Sequence, residues 1–203
     1  MLKINHHSST IEPQSVFSGF LSKAENHSAR RLGEGAFACT VSHPDPQLVV
    51  KVCQMTGQFG RKGSNPVETD GYMQWLKAIS EYPTIFAPKI YRVDVIQNPN
   101  NLWNGGVTLI TMERLVPNTD MSVAKHSRAM AKMIDDRLEY VTELETTYKY
   151  KRLKRSQARD SYNLGMALDK TWSSSRKDLH GGNWMVRQYK DGTVCPVITD
   201  PAV

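Results

Sequence analysis

The period of the apolar residues changes at Pro117, and the change divides the chain into two kinds of structure. Before it, β-branched runs alternate with polar breaks. "ARRLGEGAFACTVSHP" reads as strand, glycine turn and strand, and "QLVVKVCQ" as a further strand. "KIYRVDVIQ" and "GVTLITMERL" read as two more, joined by the polar loop "NPNNLWNG". A single helix is expected among them, in "VETDGYMQWLKAIS", with Tyr72 or Met73 and Trp75 or Leu76 turned inward. After Pro117 the spacing becomes helical. Met130, Ile134, Leu138, Val141, Leu144 and Tyr148 recur every three or four positions behind the capping residues of "NTD". They predict a long amphipathic helix over about 120–154. "SQARDSYNLGMALDKTW" places Tyr162 and Met166 on one side and Leu164, Leu168 and Trp172 on another, the pattern of a buried helix. "NWMVRQ", a "KDG" turn and "CPVIT" then form a hairpin. Residues 1–11 read as a loose tail with His6 and His7 solvated, followed by a short amphipathic helix after Pro13. The fold class expected is α+β, with a connection near residues 112–118.

The chain has 203 residues, 39% hydrophobic and 23% charged, enough for a sizeable core and unlike a disordered sequence. It has no apolar run of membrane-spanning length and no signal-peptide core at its start, so a cytoplasmic protein is expected. Cys39, Cys53 and Cys195 are far apart and form no CxxC pair, which points to reduced core thiols and away from zinc. The net charge of +6 is concentrated. "KYKRLKRSQAR" (149–159) carries six basic residues and no acid, leaving the remainder neutral overall. Its ordinary meaning is a solvated helix face. Its functional meaning is a local docking patch for acidic or nucleic-acid-associated targets.

Four elements carry chemistry, in a fixed order. Gly33 and Gly35 sit in the turn "LGEGAF", where a missing Cβ lets backbone approach a phosphate; alone, this is also an ordinary glycine hairpin. Lys51 lies inside "VVKVC", where burial demands an anionic partner unless the strand is an edge and the ammonium faces water. Asp178 precedes Asn183 by five residues in "DLHGGNWM", and Asp200 follows seventeen later in "VITDPAV". A loop aspartate can take a proton from an attacking hydroxyl, and an asparagine oxygen with a second aspartate offers magnesium the hard oxygens it prefers. Each residue alone also fits a capped turn or a surface hairpin.

In that order, the sequence resembles the protein kinases, and more narrowly the early serine/threonine protein kinases of T-seven-like podophages. The resemblance runs from about Ala29 to the end and is densest in "LGEGAFACTVSHP" with "VVKV" and in "DLHGGNWM" with "VITDP". It implies a two-lobed fold: an antiparallel β-rich N-lobe with one helix over residues 1–114, and a reduced, mainly helical C-lobe over 115–203. It also implies ATP and Mg2+ as cofactors. Gly33 and Gly35 would open the phosphate-covering loop with Phe37 near its tip. Lys51 would hold the α- and β-phosphates, paired with Glu68, in preference to Asp70, on the following helix. Met112 to Leu115, including Glu113, would offer backbone bonds to adenine. Asp178 would be the catalytic base, Asn183 and Asp200 the metal ligands, and His180 a neighbour of the transferred phosphate. The implied substrates are host bacterial proteins in the host cytoplasm.

The departures matter too. The third loop glycine is Ala38. The usual Asp-Phe-Gly is Asp200-Pro201-Ala202, without the swinging phenylalanine, and no activation segment follows. The long helix and the basic segment are therefore expected to form a floor beneath the Asp178 loop, unless a partner or a second copy supplies it. "DLHGGN" also fits small-molecule phosphotransferases of the aminoglycoside-kinase type, but these want an acidic pocket, and the helical region is basic. A kinase-fold binding module without catalysis is the remaining alternative.

Overall fold

The computed structural model describes residues 2–9, 18, 19, 22, 29–34, 38–55, 70–97, 106–117, 155–173, 178, 181–191 and 194–201. These form an α+β protein with a mixed six-stranded sheet, a three-stranded sheet and, among the described residues, two α-helices of defined extent. By contact the chain divides into two compact units. One comprises Leu2–Met73 and Lys89–Arg114; the other comprises Gln74–Pro88 and Leu115–Val203, together with Met1.

The first unit holds the large sheet, built from β1 (Ile4–Ser8), β2 (Arg31–Glu34), β3 (Ala38–Ser42), β4 (Leu48–Met55), β5 (Ile90–Gln97) and β6 (Gly106–Glu113). The order is β1-β5-β6-β4-β3-β2. The two strands with the most buried residues, β4 and β6, lie at the centre, because only a central strand covers both faces. The five strands from β2 to β6 pair antiparallel. β1 pairs parallel with β5, so the sheet is mixed, not wholly antiparallel.

That strand corrects the expectation of a loose tail. Asp94 on β5 is the reason. Its carboxylate accepts from Asn5 Nδ2 at 3.2 Å and from Arg92 Nε at 2.5 Å and Nη2 at 3.0 Å, and lies 2.9 Å from His7 Nε2. Arg92, with His7 and Asn5 beside it, holds the Asp94 carboxyl below the ordinary aspartate range against an opposing effect of burial. On one face of the sheet, Cys39, Val41, Val52 and Val107 form a buried apolar cluster. All three cysteines are free and buried, as the sequence implied.

Helix α1 (Gly71–Glu81) begins where Asp70 Oδ1 accepts the Met73 amide at 2.9 Å, an N-cap that satisfies one of the helix's orphan donors. Pro83 follows its last turn. Tyr72, Met73, Trp75 and Leu76 are all buried, so both alternatives given for its inward face hold.

In the second unit, helix α2 (Arg155–Trp172) is amphipathic, not buried all round. Leu164, Ala167, Leu168 and Thr171 are buried, while Tyr162 is 58% exposed. Four residues at helical spacing cover one stripe, and the tyrosine keeps its hydroxyl in water. The small sheet orders β7 (Val116–Pro117), β8 (Trp184–Gln188) and β9 (Val194–Ile198). β7, unforeseen in the sequence, is an edge strand, the place where a proline costs no ladder bond.

The segment Gln74–Pro88 belongs with this unit, not with residues 1–114 as a whole. Its loop is bonded to three elements there. Asp160 on α2 accepts from Thr84 Oγ1 at 2.8 Å and from the Ile85 amide at 3.0 Å. The Ile198 amide donates to Phe86 O at 2.8 Å, and the buried Arg187 guanidinium donates to Ile85 O and Ala87 O. No helix among the described residues is long and apolar enough to cross a membrane. The expected helix over 120–154 lies outside the described residues, as does nearly all of the segment after Pro13.

Candidate functional site

The open end of the β8–β9 hairpin gathers the acid set. The ladder runs from Gln188↔Val194 to Trp184↔Ile198. Beyond it, Asn183 O accepts twice from Thr199, from its amide at 2.8 Å and from Oγ1 at 3.0 Å. Asn183 and the residue before Asp200 are thereby joined, although sixteen positions separate them. The one-turn 3-10 helix Gly181–Asn183 swings the Asn183 side chain back toward Asp178. Asn183 Nδ2 donates to Asp178 O at 2.5 Å and lies 3.5 Å from Asp178 Oδ2, a marginal contact beside a firm one. The Asp178 amide donates to Pro201 O at 2.9 Å, and Trp172 Nε1 donates to the same carbonyl at 2.9 Å.

Asp178 and Asn183 are thus bonded to one another and to Thr199 and Pro201, the two residues that flank Asp200. Asp178 and Asp200 are each half-buried, so their carboxylates are neither sunk in the core nor fully hydrated. The Asn183 amide nitrogen is engaged by Asp178, so Oδ1 is the side-chain atom that could serve as a ligand. Asn183 Oδ1 and the Asp200 carboxylate are hard oxygen donors of the kind magnesium accepts. Among the described residues, no three or more His, Cys, Asp or Glu side chains cluster as a metal site.

The residues expected on the phosphate side, Gly33 and Lys51, belong to the sheet unit. Lys51 sits on β4 opposite Thr40 on β3 and Ile110 on β6, so it is central, not an edge lysine facing water. It is only 9% exposed, and its ammonium lies 3.7 Å from the centroid of the Tyr72 ring. The expected partner, Glu68, lies outside the described residues, and α1 starts three residues after it. The group that α1 itself offers to Lys51 is an aromatic face. Asp70, the other acid considered, serves as the cap of that helix.

Gly33 lies on β2 beside a register shift, and a Cβ built there meets nothing within 4 Å among the described residues. Packing does not demand glycine at this position. Met112 and Glu113 end β6. The Glu113 amide donates to Lys89 O at 3.0 Å, its Oε1 accepts the Lys89 amide at 2.8 Å, and the Arg114 amide donates to Gln47 O at 2.7 Å. The amides of Glu113 and Arg114, two of the backbone groups expected to serve adenine, are therefore already bonded to carbonyls just outside β5 and β4, and Leu115 is buried. Gly35, Phe37 and His180 lie outside the described residues.

Three contributors escaped the sequence reading as site residues: Tyr72, Trp172 and Thr199. The first two scored as apolar positions on helices. The signal was their chemistry, since a buried tyrosine face can hold a cation and a buried indole N–H needs an acceptor. No family model matches the chain, and no curated protein matches it in sequence.

Proposed function

We propose that the chain is an ATP-dependent phosphotransferase acting on protein serine and threonine hydroxyls, with host bacterial proteins as substrates. The observation that carries this reading is the bonding of Asp178, Asn183 and the residues flanking Asp200 into one group at the open end of a hairpin. Asp178 takes the proton of the attacking hydroxyl as its oxygen bonds to the γ-phosphorus; the bond to the β–γ bridging oxygen breaks, and ADP leaves. Asn183 and Asp200 would hold Mg2+, which would offset the charge of the phosphates. Lys51, oriented within the sheet, binds the α- and β-phosphates, and the open space at Gly33 suits a phosphate in close approach.

The protein substrate class rests on the basic segment 149–159, which fits acidic surfaces better than cationic small molecules. The test is incubation of purified protein with labelled ATP, Mg2+ and bacterial lysate, read on a gel and by phosphopeptide mapping. Wild type labels proteins on serine or threonine, and Asp178→Asn loses at least ~10²-fold, the usual contribution of a general base. Equal labelling by the Asp178 variant removes that residue from the mechanism. Label on small molecules alone transfers the reading to the aminoglycoside-kinase class.

A further inference from the structure

Four hydrogen bonds bracket Asp200. On one side, Thr199 gives its amide and its hydroxyl to Asn183 O. On the other, Pro201 O receives the Asp178 amide and the Trp172 indole N–H, both at 2.9 Å. Pro201 is buried, its ring fixes its own φ, and a residue that precedes proline is confined to extended backbone. Asp200 is the one residue between these anchors, and its backbone has little freedom left.

Trp172 is the contributor from outside the two loops. It closes α2, and its N–H reaches a carbonyl 29 positions away in sequence. A tryptophan used only as apolar filling would have no need of that geometry. Resting on the phosphotransferase reading, we infer that Trp172 is a positioning residue: its indole N–H holds the Pro201 carbonyl against the Asp178 amide and so fixes the backbone that presents Asp200 to the metal–nucleotide. Pro201, which follows the metal aspartate, is then held at its carbonyl. Kinases with phenylalanine at this point can swing it. Here the carbonyl of a proline is shared between a helix end and the loop of the catalytic base, so one bond orients both acids together.

The test replaces the donor and keeps the shape. Trp172→Phe removes the N–H and retains an aromatic ring, and substitution of Trp172 by benzothienylalanine, with sulfur in place of N–H, serves if the phenylalanine variant does not fold. Two quantities are measured: amide hydrogen exchange at Asp178, the other donor to Pro201 O, and the Mg2+ concentration that half-saturates binding of a non-hydrolysable ATP analogue. The clamp predicts exchange at Asp178 faster by about tenfold and a Mg2+ midpoint raised by about tenfold, with metal-free analogue binding unchanged. A lower melting temperature with both quantities unchanged means that Trp172 is packing only, and overturns the inference. Where the wild type binds the analogue in a Mg2+-dependent way, a shift in one quantity without the other also overturns it, because the two effects share one route. Absence of Mg2+-dependent analogue binding in the wild type fails the phosphotransferase reading and the metal half of the inference with it, while exchange at Asp178 still decides whether the clamp exists.

Discussion

The Lys51 ammonium lies 3.7 Å from the centroid of the Tyr72 ring, and both residues are buried. The arrangement follows from where α1 starts. Asp70 caps the helix, which puts Tyr72 at its second position, over the central strand that carries Lys51. A buried ammonium is costly unless something replaces part of its hydration, and the negative face of an aromatic ring does so.

Tyr72→Phe should therefore behave nearly as wild type, because it keeps the ring face, whereas Tyr72→Leu should not. In a double-mutant cycle with Lys51→Met, the leucine variant should reveal a coupling of about 1–2 kcal/mol, the range of a desolvated cation–ring contact. Urea denaturation of the four proteins measures it. Additive effects would mean that the ring merely lies nearby.

Arg187 offers a second stability test. Its guanidinium is buried and donates to Ile85 O and Ala87 O, the loop that joins α1 to β5. Arg187→Leu removes this donor from Ala87 O and leaves Ile85 O with only the weak Cys195 thiol at 3.7 Å, and an orphaned buried acceptor costs about 1–3 kcal/mol. A loss of about 2–4 kcal/mol is expected from the denaturation midpoint. A loss within ~0.5 kcal/mol would place water at those carbonyls.

Asp94 makes the fold sensitive to acid. Arg92 chiefly, with His7 and Asn5, lowers its pKa in the folded protein. A carboxyl depressed on folding contributes stability that is fully present above its unfolded value, about 3.9, and is lost as pH falls through the folded value. Asp94→Asn should thus be less stable than wild type at pH 7 and at pH 5, and the difference should shrink below about pH 4. Amide exchange in Ile4–Ser8 should rise in the variant, since these bonds hold β1 to β5. A difference that stays constant with pH would assign the effect to shape, not charge.

How much of this was legible depended on whether a pattern is local. Runs such as "LVVKVCQM" declare a strand by their own side chains, and the centre of the sheet was readable there. β1 was not: "INHHS" is polar, and what makes it a strand is Asp94, some ninety positions away. The apolar count on α2 gave its existence but not its buried stripe, because a tyrosine scores as apolar even when its hydroxyl reaches water. At the candidate site, the sequence named Asp178, Asn183 and Asp200 by spacing. It could not reveal the bonds of Thr199, Pro201 and Trp172, which arise when a hairpin and a helix end meet. The same limit hid Tyr72, whose role depends on the register between a helix start and a strand.

The basic segment gives the prediction that separates protein substrates from small ones. Lys151, Arg152 and Lys154 lie outside the described residues; Arg155 opens α2, and Arg159 on the same helix is exposed. Exposed charges of one sign act mostly on encounter, accelerating association with an oppositely charged surface and fading with salt. Reversing Lys151, Arg152, Lys154 and Arg155 to glutamate should therefore reduce phosphorylation of protein targets by about tenfold or more at low salt. Slow hydrolysis of ATP should be unchanged, because the residues proposed for it, Lys51, Asp178, Asn183 and Asp200, lie outside the reversed run. The gap between the wild-type and reversed proteins should close as salt is raised toward 0.5 M, where screening shortens the reach of such charges to about one side chain. If both proteins label targets equally at low salt, the run is a solvated helix face, and protein substrates are recognised elsewhere on the chain or through a second copy of it.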